Sequence, residues 1–252
     1  LCMNPQEKVG CPGGRAAVQG TRFPADIAPL PLQDSILAGL PAGMHGQNRP
    51  NPTGHSGVGY GVTMETITSR TNPLITHIRK LTVSRKTRRS QGLMVCEGPK
   101  MLGEALRWGA TLDTILWEAG AAPVEGIPPT VRQVTVPGDL LRSVAPTQTP
   151  QQVLFLCALP DHALPAKLSG SRYLVLDNLQ DPGNLGTLWR TADAFGADGL
   201  ILLPGCADPW GPKTLRATMG ACFRLPVWEG TLEELLPRLQ AAELPLYATA
   251  LR

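Results

Sequence analysis

Residues 174–227 read LVLDNLQDPGNLGTLWRTADAFGADGLILLPGCADPWGPKTLRATMGACFRLPV. Two apolar runs, 174–176 and 200–203, each end in a polar turn that leads into a helical pattern. This repeated strand–loop–helix order is typical of a parallel α/β sheet, whose ligands bind where strands end and loops begin. We therefore expect both polar loops to open onto one site. The predicted strands are 173–177, 200–203, 225–228 and 246–250, and the predicted helices are 184–195, 212–221 and 231–242.

The region before this stretch, residues 65–160, has the pattern of a second compact α/β unit. Ile75, Ile78 and Leu81 recur at helical spacing and predict one buried helix face. Four short apolar runs predict strands at 93–96, 114–117, 131–136 and 153–159, with a helix between 97 and 109. Residues 160–170, PDHALPAKLSG, combine proline, glycine and charge, and we expect them to be a linker.

Composition excludes several classes of protein. The 252 residues suffice for one large or two small domains, and 5% aromatic content offers no obvious platform for stacking single-stranded bases. No apolar run approaches the ~20 residues that would span a membrane. The 6 cysteines form no CxxC pair and no His cluster accompanies them, so we expect no metal site. Dispersed cysteines without a secretory signal favour a cytoplasmic location.

Residues 1–63 differ from the rest of the chain. They are rich in glycine and proline and show no sustained apolar periodicity, so they cannot bury enough surface to offset the entropy of ordering. We expect a disordered or non-native leader, and favour sequence translated from upstream of a start at Met64. A functional tail is the alternative.

Two long motifs resemble those of a known family. LDNLQDPGNLGTLWRTADAFG and DPWGPKTLRATMGACFRLPV resemble the first and second motifs of the SpoU (TrmH-like) RNA ribose 2'-O-methyltransferases. SRKTRRSQGLMVCEGPKML, at 84–102, resembles the substrate-binding domain of that family. The resemblance implies an L30e-like α/β substrate-binding domain over 65–160, followed by an α/β-knot (SPOUT-type) methyltransferase domain over 171–252. It also implies S-adenosylmethionine as cofactor, methyl transfer to a ribose 2'-hydroxyl of ribosomal RNA, and a homodimer.

The first loop and helix carry the candidate catalytic residues. In DPGNLG (181–186), glycines let the backbone approach a ligand, and the helix start offers free N–H groups to an anion. Asn184 is also a favourable N-cap residue. The resemblance implies that Asn184 holds the loop and the target ribose.

Arg190 lies about two turns into the same helix, whose buried face we expect to comprise Leu188, Ala192 and Phe195. A solvated arginine is the ordinary interpretation. The resemblance instead assigns Arg190 to activating the ribose 2'-hydroxyl. Because a guanidinium stays protonated and is a poor base, we expect it to grip the adjacent phosphate and polarise the hydroxyl.

Two groups of cations are candidate RNA contacts. Lys213 and Arg216 share one helix face, and cations at a helix start oppose the dipole, which favours a function over simple solvation. The second group contains no acidic residue, so it could give salt-dependent RNA binding; an exposed helix end is the alternative. Its members are Arg79, Lys80, Arg85, Lys86, Arg88 and Arg89.

The third motif of the family, a GNEGxG-like loop followed by a helix, does not occur before Leu251-Arg252. The resemblance places most of the methyl-donor pocket there, leaving Thr249 as the one candidate donor-binding residue. We therefore expect a methyltransferase domain incomplete at its C-terminus and an inactive fragment of a longer enzyme. Two alternatives remain: a non-catalytic RNA-binding protein that retains the fold, and an unrelated α/β nucleotide-binding enzyme.

Overall fold

The structure, a computed structural model, describes residues 64–122 and 124–249. The expected leader, 1–63, lies outside the described residues. The first half of the described chain contains five strands and four helices. They follow in the order β1 (Glu65–Thr66), α1 (Pro73–Val83), α2 (Arg85–Gln91), β2 (Leu93–Glu97), α3 (Pro99–Arg107), β3 (Leu112–Glu118), β4 (Arg132–Val136), α4 (Gly138–Val144) and β5 (Val153–Ala158).

The five strands of the first half form one mixed sheet in the order β1-β4-β3-β5-β2. Strand β4 pairs parallel with β1 and β3, whereas β5 pairs antiparallel with β3 and β2. Helix α1 packs as predicted, because Ile75, Ile78 and Leu81 are all fully buried. Asn72 caps this helix by accepting a hydrogen bond from Leu74 N at 2.9 Å.

The second half forms a separate three-stranded parallel sheet in the order β6-β7-β8. Its elements alternate between strands and helices, as the sequence pattern predicts. They are β6 (Tyr173–Leu176), α5 (Pro182–Ala194), β7 (Gly199–Leu202), α6 (Pro212–Thr218), a 3-10 turn (Ala221–Phe223), β8 (Val227–Glu229) and α7 (Leu232–Ala241).

The prediction of a fourth strand in this half, 246–250, is wrong for residues 246–249, the part that the structure describes. Residues 244–249 form no strand, and Tyr247 is 86% exposed. Alternating apolar residues predict a strand only where a neighbouring strand supplies backbone partners, and none pairs with this segment in the described chain.

The two halves share one hydrophobic core. Met101 and Leu102 of α3 belong to the same buried cluster as Trp189 of α5 and Leu215 of α6. The predicted linker is also tied down: His162 O accepts a hydrogen bond from Glu229 N at 2.8 Å, and Leu168 is buried against the second sheet. No helix in the described residues is long and apolar enough to cross a membrane.

Candidate active site

The two polar loops after β6 and β7 are bonded to each other. Ala207 N donates to Leu179 O at 2.8 Å, and the Cys206 thiol donates to Leu176 O at 3.3 Å. The carboxyl ends of neighbouring parallel strands meet at one edge of the sheet, so the loops that follow them meet as well. They form the floor of the candidate site.

Helix α5 begins at this floor. Its N-cap is Asp181, whose carboxylate accepts a hydrogen bond from Asn184 N at 2.7 Å. That bond, with Lys213 Nζ 3.6 Å from Asp181 Oδ2, holds the pKa of Asp181 below its usual value. The expectation that Asn184 caps the helix is therefore wrong, because Asp181 is the N-cap residue and accepts from the N–H group of Asn184 itself. Asn184 lies in the first turn, and it is exposed.

Gly186 serves helix packing. A Cβ atom at this position would lie 2.5 Å from Thr214 O and 2.5 Å from Ala217 Cβ, both on α6. The missing side chain therefore lets α5 and α6 approach closely. The sequence predicted that the glycines of this loop would let the backbone approach a ligand. Gly186 instead lets helix α5 approach helix α6.

Arg190 lies on the outer face of α5 and is exposed. The inner face consists of Leu185, Trp189 and Ala192, and the Trp189 Nε1 group donates to Leu225 O at 3.0 Å. The expectation that Phe195 is buried is wrong, since it is 78% exposed at the C-cap. Within the described residues no ion pair engages Arg190. Its guanidinium is thus available to a phosphate or hydroxyl from solvent.

The cations of the basic segment 79–89 fall into three groups, the last of which is the buried Arg88. Arg79, Lys80 and Lys86 are exposed, as an RNA contact requires. Arg85 and Arg89 instead pair with one carboxylate of the second half, at 3.0 and 2.6 Å. That carboxylate is Glu229 of β8.

The side chain of Arg88 is buried and bonds to other groups of the protein. It donates to Asp208 Oδ2 at 2.6 Å and to Thr82 O at 3.2 Å, and it also bonds Leu81 O. The expectation that no acid compensates the segment is wrong, because Asp208 and Glu229 approach from distant parts of the chain. Arg88 is already bonded within the protein, so it is not available to a phosphate in this structure.

A second ion-pair cluster joins α3 to the second half. Arg224 pairs with Asp193 of α5 at 2.7 Å and with Glu104 of α3. These carboxylates, Asp193 first, raise the pKa of Arg224. The junction between the halves therefore consists of an apolar core flanked by two clusters of charge.

Lys213 and Arg216 of α6 are both exposed. Thr249 is exposed in the segment that follows α7, and its place in a donor pocket stays a prediction. The sequence reasoning missed the roles of Asp181 and Asp208. An Asp-Pro pair lies towards the end of each loop, and aspartate before the first turn of a helix is a usual N-cap signal that could have identified Asp181.

Comparison with known proteins defines the class to which this fold and site belong. The SpoU rRNA Methylase family matches residues 171–252, and the MRM3-like substrate binding domain matches residues 72–154. The crystal structure of an AdoMet-bound rRNA methyltransferase from Sinorhizobium meliloti superposes with a TM-score of 0.62 at 30% identity. The superposition covers 71% of this chain and 69% of that one. The expected α/β methyltransferase fold with a substrate-binding domain is therefore confirmed.

Curated relatives give the same answer at the level of sequence. The chain is 32% identical over 189 residues to the 23S rRNA (guanosine(2553)-2'-O)-methyltransferase RlmP of Bacillus subtilis, covering 75% of each protein. It is 32% identical over 183 residues to the human mitochondrial rRNA methyltransferase 3, of which it spans 43%. The chain belongs to the SpoU rRNA methylase family.

Proposed function

We propose that the protein, in its natural reading frame, carries out methyl transfer from S-adenosylmethionine to a ribose 2'-hydroxyl of ribosomal RNA. The observation that carries the proposal is the match to RlmP across 75% of both proteins, since it includes both halves of the fold. The AdoMet-bound structural neighbour supports the choice of methyl donor.

At the carboxyl edge of β6–β8, the half-buried carboxylate of Asp177 could accept hydrogen bonds from the hydroxyl and amino groups of a nucleoside-type donor. When bound, the donor supplies an electrophilic methyl group on a sulfonium. Thr249 would contribute to its pocket, as the sequence resemblance implies.

The protein itself has to position the hydroxyl and ease the loss of its proton. We assign this role to Arg190, because its exposed guanidinium can donate to the phosphate beside the target ribose and polarise the 2'-hydroxyl. Asn184, at the start of the same helix, would orient the ribose. Both side chains project from a helix whose backbone is held in place by the buried side chain of Trp189.

The proposal includes a homodimer formed through the methyltransferase half, and a cytoplasmic location. Analytical ultracentrifugation of the natural protein tests the dimer. Fractionation of cells that express the natural protein tests the location.

The main experiment measures transfer of labelled methyl from S-adenosylmethionine to unmodified ribosomal RNA, using the protein in its natural reading frame. Digestion and separation of nucleosides should place the label in a 2'-O-methyl nucleoside. We expect Arg190→Ala to lower kcat/KM by about 10²- to 10³-fold, the usual cost of losing one donor to the reacting group. The matched control is Arg142→Ala, another exposed helical arginine, which should stay close to wild type.

Unchanged transfer by Arg190→Ala would remove Arg190 from the mechanism. RNA binding with no transfer by the wild type would support the other candidate, a non-catalytic RNA-binding protein that retains the fold.

A further inference from the structure

A groove runs along α6, between this helix and the first half of the chain. One part is a cleft of about 600 Å³, lined by Lys100 and Met101 of α3, by Gln151, and by Arg216 and Met219. A second part, of about 330 Å³, is lined by residues that include Thr147, Lys213 and Arg216. The two parts share Arg216. We refer to them together as the α6 groove.

Three cations line the α6 groove, Lys100, Lys213 and Arg216, against two carboxylates, Glu97 and Glu104. Glu97 accepts hydrogen bonds from Thr147 Oγ1 at 2.8 Å and from Gln151 N at 3.0 Å, and Glu104 pairs with Arg224. Among the described residues neither Lys100 nor Arg216 takes part in an ion pair. A concave surface with uncompensated cations attracts an anion.

The groove also contains an exposed apolar residue whose backbone conformation is unusual. Met219 follows the last turn of α6 with φ 53°, the left-handed region that normally favours glycine, and the residue is 64% exposed. Such a conformation costs free energy at a non-glycine residue, and strained residues cluster at ligand sites. A flexible thioether beside cations suits a ligand with both an aromatic face and a negative charge.

The groove begins at the candidate active site. Lys213, at the start of α6, contacts Asp181, the N-cap of the helix that carries Asn184 and Arg190. A chain molecule bound at the start of α5 could therefore continue past Lys213 into the groove.

We propose that the α6 groove binds an unpaired stretch of the RNA substrate next to the methylated nucleotide. Lys100 and Arg216 contact its phosphates, and Met219 packs against a base. Unpaired RNA fits because its bases expose their faces, whereas duplex RNA presents only backbone and a shallow groove. The inference rests on the proposed function, since it identifies how the substrate of that site is held.

The test measures the dissociation constant of a fluorescent unpaired ribosomal RNA oligonucleotide by anisotropy, in the absence of methyl donor and as a function of salt. The variants are Lys100→Gln and Arg216→Gln, with Lys167→Gln as matched control because Lys167 is exposed outside the groove. Losing one phosphate contact should lower the slope of log K against log salt by about 0.7. Between about 50 and 200 mM salt, each groove variant should therefore lose about 2.6-fold less affinity than the wild type. The control should keep the wild-type slope.

Met219→Gly tests the apolar contact without endangering the fold, because glycine adopts a φ of 53° without strain. We expect about two- to tenfold weaker binding of the oligonucleotide, the range for a contact between a thioether and an aromatic ring. An oligonucleotide with an abasic position at the contact should not distinguish Met219→Gly from the wild type.

Wild-type slopes in both Lys100→Gln and Arg216→Gln, or no RNA binding by the wild type, would overturn the groove assignment. Methyl transfer by the wild type together with unchanged slopes would overturn the groove alone. Reduced slopes without any methyl transfer would support the groove and overturn the proposed reaction.

Discussion

The buried pair between Arg88 and Asp208 should contribute strongly to stability. Their side chains are 6% and 14% exposed, and Arg88 Nη2 lies 2.6 Å from Asp208 Oδ2. Replacing Arg88 by glutamine removes this charge and also leaves Leu81 O and Thr82 O without their donor. We therefore expect Arg88→Gln to destabilise both the junction and the loop that precedes α6.

The magnitude follows from the surroundings of the pair. Removing one partner of a buried ion pair typically costs about 3–5 kcal/mol, because the remaining charge stays buried. Arg85 and Arg89 stay within 3.8 and 3.9 Å of Asp208 and compensate part of its charge. We therefore expect the lower end, about 3 kcal/mol, which is a large fraction of the free energy of unfolding of an ordinary domain.

Urea denaturation of the single and double variants Arg88→Gln and Asp208→Asn gives the coupling between the two residues as a double-mutant cycle. The internal control is the pair Arg70–Asp139, which has the same chemistry at 3.0 Å but is 65% and 61% exposed. This exposed pair should contribute about 0–1 kcal/mol. A cost for Arg88→Gln no larger than that for Arg70→Gln would refute the reasoning.

Two further predictions concern helix packing and pH. Gly186→Ala should cost about 1–3 kcal/mol in thermal melts, because the added methyl group would clash with α6, whereas Gly103→Ala, where a Cβ has nothing within 4 Å, should be neutral or stabilising; equal melting temperatures would contradict the close approach. Hydrogen bonds from the backbone N–H groups of Arg172 and Ser171 lower the pKa of Asp198. The pKa of Asp198 is lower in the folded state than in the unfolded state. Asp198 therefore stabilises the fold fully at pH values above its unfolded-state pKa, and this stabilisation is lost as the pH falls through its folded-state pKa. Acid titration of Asp198→Asn should therefore show a weaker loss of stability than the wild type; parallel curves would contradict it.

Local periodicity predicts the elements whose partners lie close in sequence. The spacing of Ile75, Ile78 and Leu81 is sufficient for α1, because a helix face is defined within three turns. The burial and pairing of Arg88 cannot be predicted in this way, because its partner Asp208 is 120 residues further along the chain. A run of cations looks the same in sequence whether it faces a phosphate or a carboxylate of its own protein.

The errors at the ends of elements have a similar cause. Helix α4 is not predicted because it is 7 residues long and starts at Gly138 without a side-chain cap, so periodicity and capping give no signal. Phe195 is predicted in the core because it continues the apolar spacing of α5, yet the helix ends there and the ring is exposed. Candidate catalytic residues such as Arg190 were identified by the resemblance to a family, because the periodicity of a sequence carries no information about catalytic roles.

The shared junction restricts how this chain can be recombined with its relatives. Grafting a different substrate-binding half onto residues 171–252 would leave Asp208 and Glu229 without their arginine partners, and Arg224 without Glu104. A viable chimera would have to carry the acidic and basic members of each cluster together. In any such exchange, the two halves would therefore have to be replaced together, even though each has its own sheet.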